Sequence, residues 1–224
     1  MLPLEAQMGF VLIGHDGEDA DAATRREAAR EPHLASIHRN AAAGRLVMSG
    51  PRLRPDGSTA GSLQVFEVPA QADMETYLEQ EPFVAKGVWA RVEVLPFRIA
   101  PMPWAPQPGR PGGEAGPLFA YAVTARDGID AEAPQRRQAA RPRHLVRIGP
   151  EVAAGRLRLG GALLDSPDGS MVGSIIALAL PDEDAVREWL AAEPYVTEGV
   201  WQDIRIERWR ISAQPYPALP GQAA

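Results

Sequence analysis

Compact apolar runs, Ala/Arg/Leu-rich stretches and Pro-Asp-Gly turns alternate along the chain, and the alternation runs through twice. Phe10-Val11-Leu12-Ile13 and Phe119-Ala120-Tyr121-Ala122-Val123 are short apolar runs, ended by Asp16-Gly17 and Asp127-Gly128, a pattern that predicts buried strands. From Ala22 to Ala43 the chain turns to Ala, Arg, Glu and Leu, with Gly44 where a helix C-cap belongs; the partner helix runs from Ala133 to Ala154. Pro32 and Pro142 fall inside these stretches and predict a kink or a fresh first turn. Gly149-Pro150 adds a predicted break to the second helix alone.

Second strands are expected over Gly44–Gly50 and Gly155–Gly161, followed by Pro-Asp-Gly turns at Pro55–Gly57 and Pro167–Gly169. Third strands follow at Ser62–Val68 and Ser174–Leu180, then short helices over Ala72–Glu79 and Asp182–Ala192. The last strands, Val88–Ile99 and Val200–Ile211, alternate: Val92 and Val94 oppose Arg91 and Glu93, as Ile204 and Ile206 oppose Asp203 and Arg205. Each half therefore reads strand, helix, strand, strand, helix, strand, the order of a ferredoxin-like unit. Such a sheet carries both helices on one face, and its other apolar face needs cover that the second copy can supply.

The repeat is explicit in Glu81-Pro82-Phe83 with Gly87-Val88-Trp89, which returns as Glu193-Pro194-Tyr195 with Gly199-Val200-Trp201. Asp16 aligns with Asp127, Arg26 with Arg137 and His33 with His144 at a constant separation, which grows by one residue near Ser166, in a turn. This divides the chain into units at 8–100 and 118–212, a Pro/Gly-rich linker at 101–117 that reads as semi-extended, and a tail at 213–224 expected to be poorly ordered.

Composition narrows the chemistry. The net charge of −6 gives no electrostatic reason to expect nucleic acid or an anionic membrane as partner. The absence of cysteine excludes disulfides, thiolate catalysis and sulfur-bound metals. No signal-like start and no run of roughly 18 apolar residues is present, so the cytoplasm is the default location. No glycine-rich phosphate loop precedes a helix, and His33 and His38 are spaced wrongly for helical metal ligands. Neither a cofactor nor a metal is therefore expected.

The motifs in order are Arg-x-x-x-Arg ahead of Pro-x-His-Leu, Gly-Arg-Leu, Asp-Gly with Gly-Ser, Glu-Pro-Phe/Tyr with Gly-Val-Trp, and a closing Phe-Arg or Trp-Arg. They resemble the YCII (YciI-like) family, twice, nearly end to end in each copy. The resemblance implies an α+β fold in which two ferredoxin-like units pack sheet to sheet as a dimeric α+β barrel. Here the pair would form within one chain, with room for a further homodimer. It also implies a histidine and an acidic residue at the active site, and some members resemble lyases that eliminate chloride from chlorinated hydroxylated aromatics without a cofactor. The family histidine falls on His33 and His144. The acidic position usually written Asp-Pro falls on Glu81 and Glu193, one methylene longer, and a strand-end Asp falls on Asp16 and Asp127.

The residues themselves give a parallel reading. Of four histidines only His33 and His144 occupy equivalent places. At about 100° per residue, Arg26, Arg30 and His33 share one helical stripe if the helix continues through Pro32, as do Arg137, Arg141 and His144. Each stripe offers a general base beside guanidiniums that can clamp a carboxylate, phenolate or enolate. Glu81 and Glu193 are candidate partners of the base, or else simply stop a helix. Asp16 and Asp127 are candidate substrate contacts, or turn formers. Ser62 and Ser174 are weaker candidates for a ligand hydrogen bond, and Trp89, Trp201, Phe97 and Trp209 read as core. These features point to a cofactor-independent small-molecule enzyme of lyase, isomerase or cyclase type, acting on a hydroxylated or carboxylated, cyclic or aromatic substrate. The alternatives are a non-catalytic module binding a small organic acid, or a cofactor-free oxygenase or cyclase of a polyketide-like pathway. The Gly149-Pro150 difference predicts unequal sites.

Overall fold

The computed structural model describes residues 8–222. The first unit comprises β1 (Met8–Asp16), α1 (Ala22–Ala42), β2 (Leu46–Leu53), β3 (Thr59–Val68), α2 (Gln71–Gln80), α3 (Pro82–Ala85) and β4 (Trp89–Ile99). The second repeats it as β5 (Leu118–Asp127), α4 (Ala133–Ala153), β6 (Leu157–Leu164), β7 (Met171–Leu178), α5 (Glu183–Ala191), α6 (Pro194–Thr197) and β8 (Trp201–Ile211). The strands close into one barrel in the order β1-β3-β2-β8-β5-β7-β6-β4. These are two ferredoxin-like units forming a dimeric α+β barrel within a single chain.

The strands are apolar on both sides because both sides are covered. Along β1, Val11 and Ile13 join the core that continues into the second unit through Ala122, Val123 and Trp209, whereas Phe10 and Leu12 pack with Ala29, Ile37 and Met74 towards the helices. Two seams close the barrel: β2 pairs with β8 (Arg52 opposite Trp209) and β4 with β6 (Phe97 opposite Leu163). Glycines permit this approach. A Cβ at Gly50 would lie 1.9 Å from the Arg210 carbonyl oxygen, and one at Gly161 2.4 Å from that of Arg98. Across the first seam the Trp209 indole donates to the Gly50 carbonyl at 3.2 Å, and the Arg52 guanidinium pairs with Glu207 at 2.6 Å.

Several expectations need correction. Neither long helix breaks: α1 runs through Pro32, and α4 through both Pro142 and Pro150. Each proline removes one backbone donor without ending the helix, whose apolar face stays seated on the sheet at Ile37 and Ala41, or Ile148 and Val152. The strands β2 and β3 extend several residues into the stretch read as a connection. Linker and tail are not loose over the described residues: Trp104, Gln107, Tyr216 and Leu219 are buried. Gln107 bridges them by donating to the carbonyls of Val47 (3.3 Å) and Pro217 (2.9 Å). Among the described residues, no helix is long and apolar enough to cross a membrane.

Candidate functional site

The Glu-Pro motif does two things at once. Glu81 ends α2 and caps α3, its side chain accepting from the Phe83 backbone N–H at 3.0 Å, with Pro82 in the first helical turn. The same carboxylate, fully buried, accepts from the Tyr77 hydroxyl at 2.7 Å and meets His33 Nδ1 at 2.6 Å. The reach from helix end to α1 requires this short extra helix, which the sequence reading lacked. His33 lies flat on Phe83, centroids 3.7 Å apart, with the Trp89 ring edge-on at 5.8 Å. Trp89 in turn fits because position 14 is glycine: a Cβ there would sit 2.4 Å from the indole. Stacking fixes the imidazole plane, and the carboxylate places a proton on Nδ1. Nε2 is thus the ring nitrogen left with no partner among the described residues.

His33 lines a cavity of about 750 Å³ between α1 and the outer face of the first sheet. Arg26 and Arg30 join it there, so the predicted stripe is real. Their roles differ. Arg26 is committed to Asp16, its Nη1 lying 2.7 and 2.8 Å from the two carboxylate oxygens, with Nη2 3.4 Å from Ser62 Oγ and the guanidinium over the Phe83 ring at 4.6 Å. Asp16 and Ser62 therefore brace Arg26. Burial pushes the Asp16 carboxyl up, outweighing Arg26, and pushes the Arg26 guanidinium down, with Arg210 and Arg30 repelling it further. Arg30 and Arg210 make no hydrogen bond or ion pair among the described residues, and Arg210 reaches the cavity from β8, in the other unit.

The second unit reproduces the dyad but not the cavity. His144 Nδ1 meets Glu193 Oε1 at 2.7 Å and stacks on Tyr195 at 4.1 Å; Arg137 holds Asp127 at 2.8 Å and Ser174 at 2.9 Å. The space beside His144 and Arg141 is only about 130 Å³. Trp104 of the linker fills it, its indole donating to the Ala100 carbonyl at 2.9 Å and passing over Gly160, where a Cβ would lie 3.3 Å from the ring. The first unit has Ser49 at that position, and the Tyr216 hydroxyl binds its backbone N–H at 3.1 Å. Polar walls turn apolar as well: Gln64 becomes Ile176 and Thr59 becomes Met171. Tyr77 becomes Trp189, which leaves Glu193 Oε2 buried without a hydrogen bond, 3.7 Å from Arg147 Nε. The sites are unequal as expected, but through the linker and these wall exchanges rather than through Gly149-Pro150.

Sequence reasoning missed Gln64, Tyr77, Arg210 and Trp104. A signal existed for the first two, since they are positions where aligned copies differ while the dyad stays the same. Among the described residues, no three His, Asp or Glu side chains gather as metal ligands.

Comparisons with solved structures agree on the architecture. A haem-binding protein from Thermus thermophilus is 9% identical and superposes with a TM-score of 0.58, over 91% of each chain. Chlorite dismutase from Candidatus Nitrospira defluvii, in complex with imidazole, is 14% identical with a TM-score of 0.56, over 94% of this chain and 93% of that one. The 5-chloro-2-hydroxyhydroquinone dehydrochlorinase of Burkholderia phenoliruptrix AC1100, in complex with 2,5-dihydroxybenzoquinone, is 22% identical; it matches 40% of this chain and 92% of its own, with a TM-score of 0.36. The first two similarities show the fold alone. No curated protein matches the sequence. The YCII-related domain profile matches residues 8–98 and again 119–210, covering most of the chain and both dyads, and the chain accordingly belongs to the YCII-related family as a tandem duplication of its domain.

Proposed function

We propose that the cavity beside His33 is the active site of a small-molecule enzyme in which His33 abstracts a proton and Glu81 orients it. Elimination, isomerisation or ring closure would follow, on a hydroxylated or carboxylated, cyclic or aromatic substrate. The observation that carries this reading is the buried Glu81–His33 contact of 2.6 Å at the wall of a roomy cavity, with Nε2 unpartnered. A general base needs that combination: a fixed tautomer, a free lone pair and space for the substrate. The fold hosts enzymes among its structural neighbours, which supports an enzyme without naming its reaction. The wider cavity favours the first site, and the second dyad serves the packing of its own unit.

One of those neighbours is described as haem-binding, which suggests a different use for such a cavity. The residues here do not fit that group. A macrocycle needs broad apolar walls, whereas Asp16, Arg26, Arg30, Arg54, Ser62 and Gln64 line this cavity.

The test is solvent deuterium uptake into a panel of carbonyl- and hydroxyl-bearing cyclic acids, followed by NMR in deuterated buffer. Exchange or conversion that His33→Gln abolishes and His144→Gln leaves intact supports the proposal. Activity that survives His33→Gln in a folded protein sinks it. A compound that binds at the cavity but is recovered unchanged and unexchanged favours the non-catalytic binding module.

A further inference from the structure

The floor of the first cavity carries an unfinished hydrogen bond. Gln64 is 1% exposed, lines the cavity and leaves its amide nitrogen buried with no partner among the described residues. Its oxygen lies 2.9 Å from the Tyr77 hydroxyl, which also lies 2.7 Å from Glu81 Oε2. One phenolic proton serves only one acceptor, and a carboxylate can only accept, so Tyr77 donates to Glu81. The Gln64 amide then meets the phenol oxygen best with its NH2 turned towards it and its carbonyl at the unpartnered position. Either way round, one end of a buried amide lacks a partner, at a cost that native interiors avoid. A ligand hydroxyl satisfies both orientations, accepting from the NH2 or donating to the carbonyl.

The opposite wall supplies charge. Register places Gln64 opposite Ser49, and the Ser212 backbone N–H donates to the Ser49 carbonyl at 2.8 Å, so β3, β2 and β8 lie side by side under the cavity. Arg210, two residues before Ser212, is thus two strands from Gln64, about 10 Å at the usual strand spacing. Arg210 and, from α1, Arg30 bring two guanidiniums to this wall that are unpaired among the described residues.

Resting on the assignment of the first cavity as the functional site, we infer that it takes a hydroxylated organic anion, with its hydroxyl on Gln64 and its carboxylate on Arg210 and Arg30. The two specificity-determining ends come from different units, so the first site is complete only in the duplicated chain. The second site cannot bind in this way, because Ile176 replaces Gln64 and Trp104 occupies the space.

The test compares benzoate with 2-, 3- and 4-hydroxybenzoate, titrated calorimetrically into the full-length chain. The best hydroxylated isomer should bind about tenfold more tightly than benzoate, the worth of one buried hydrogen bond. Gln64→Ile, which installs the residue of the second unit, should erase that preference, so that benzoate and its hydroxylated isomers bind alike. Arg210→Ala should weaken all four ligands by about tenfold or more, as for loss of a charge-assisted contact. Thermal unfolding confirms that each variant is folded. A hydroxyl preference that persists in Gln64→Ile, an unchanged affinity in Arg210→Ala, or no binding of any of the four at millimolar concentration overturns the inference. His33→Gln should retain the hydroxyl preference, so a failure of the proton-abstraction reading is distinguishable from a failure of this one.

Discussion

Truncating the two equivalent glutamates should have unequal consequences. Glu81 accepts from three donors: His33 Nδ1, the Tyr77 hydroxyl and the Phe83 N–H. Glu81→Ala removes the charge-assisted bond from the phenol, which falls back on the Gln64 amide oxygen 2.9 Å away, at about 1–3 kcal/mol, and removes an N-cap worth about 1 kcal/mol. It also frees His33 against the cavity wall. About 4 kcal/mol is expected in all. Among the described residues, Glu193 accepts only from His144 Nδ1 and the Tyr195 N–H, and its second oxygen is buried without a hydrogen bond. Glu193→Ala therefore loses fewer bonds and relieves a poorly paired buried carboxylate, so about 2 kcal/mol is expected. Equilibrium urea denaturation separates these values: at a slope of about 2 kcal/mol per molar, the two midpoints should lie about 1 M apart, with Glu81→Ala the lower. Equal midpoints, or a lower one for Glu193→Ala, would refute the reasoning that Tyr77 completes the first dyad and Trp189 fails to complete the second.

Trp104→Ala should cost about 3–5 kcal/mol by emptying a packed indole site, measured by the same denaturation, and should enlarge the space beside His144; a loss below about 1 kcal/mol would mean that the linker does not seal the second pocket. Acid stability should depend on the loop pairs that precede the long helices. Hydrogen bonds from Arg25 and Arg136 hold Asp19 and Asp130 down at about 2, below their usual 3.8. Acids with lowered values contribute stability above the unfolded value that is lost as pH falls through the folded one. Asp19→Asn with Asp130→Asn should therefore flatten the fall in melting temperature between about pH 4 and pH 2, and an unchanged acid limb would contradict it. Asp16 and Asp127 act with the opposite sign, since burial raises them and their neutral forms are favoured as pH falls.

The duplication was legible because the dyad and its stacking partners are carried on short motifs, Pro-x-His-Leu and Glu-Pro-Phe/Tyr, that both copies keep. That the second copy would cover the first sheet's bare face followed from the strand order, and the barrel itself from the family resemblance. What escaped the sequence depends on tertiary proximity. Arg210 reads only as the end of the closing Trp-Arg motif until the β2–β8 seam brings it into the other unit's cavity. Trp104 sits in a Pro-rich segment with no periodicity, and only Gly160 opposite it reveals where the ring lodges. The prolines of α1 and α4 were over-weighted: local propensity predicted a break, and packing of the helix on its sheet held it together.

The central claim is that Glu81 holds the proton of His33 on Nδ1 and leaves Nε2 as a base facing the cavity. Long-range proton–nitrogen NMR on the ¹⁵N-histidine-labelled chain tests it directly, with His33→Gln providing the assignment. Hydrogen on Nδ1 and a bare, pyridine-like Nε2 are expected, converting to the opposite tautomer or a mixture in Glu81→Ala. A neutral His33 protonated on Nε2 in the unmodified protein would contradict it.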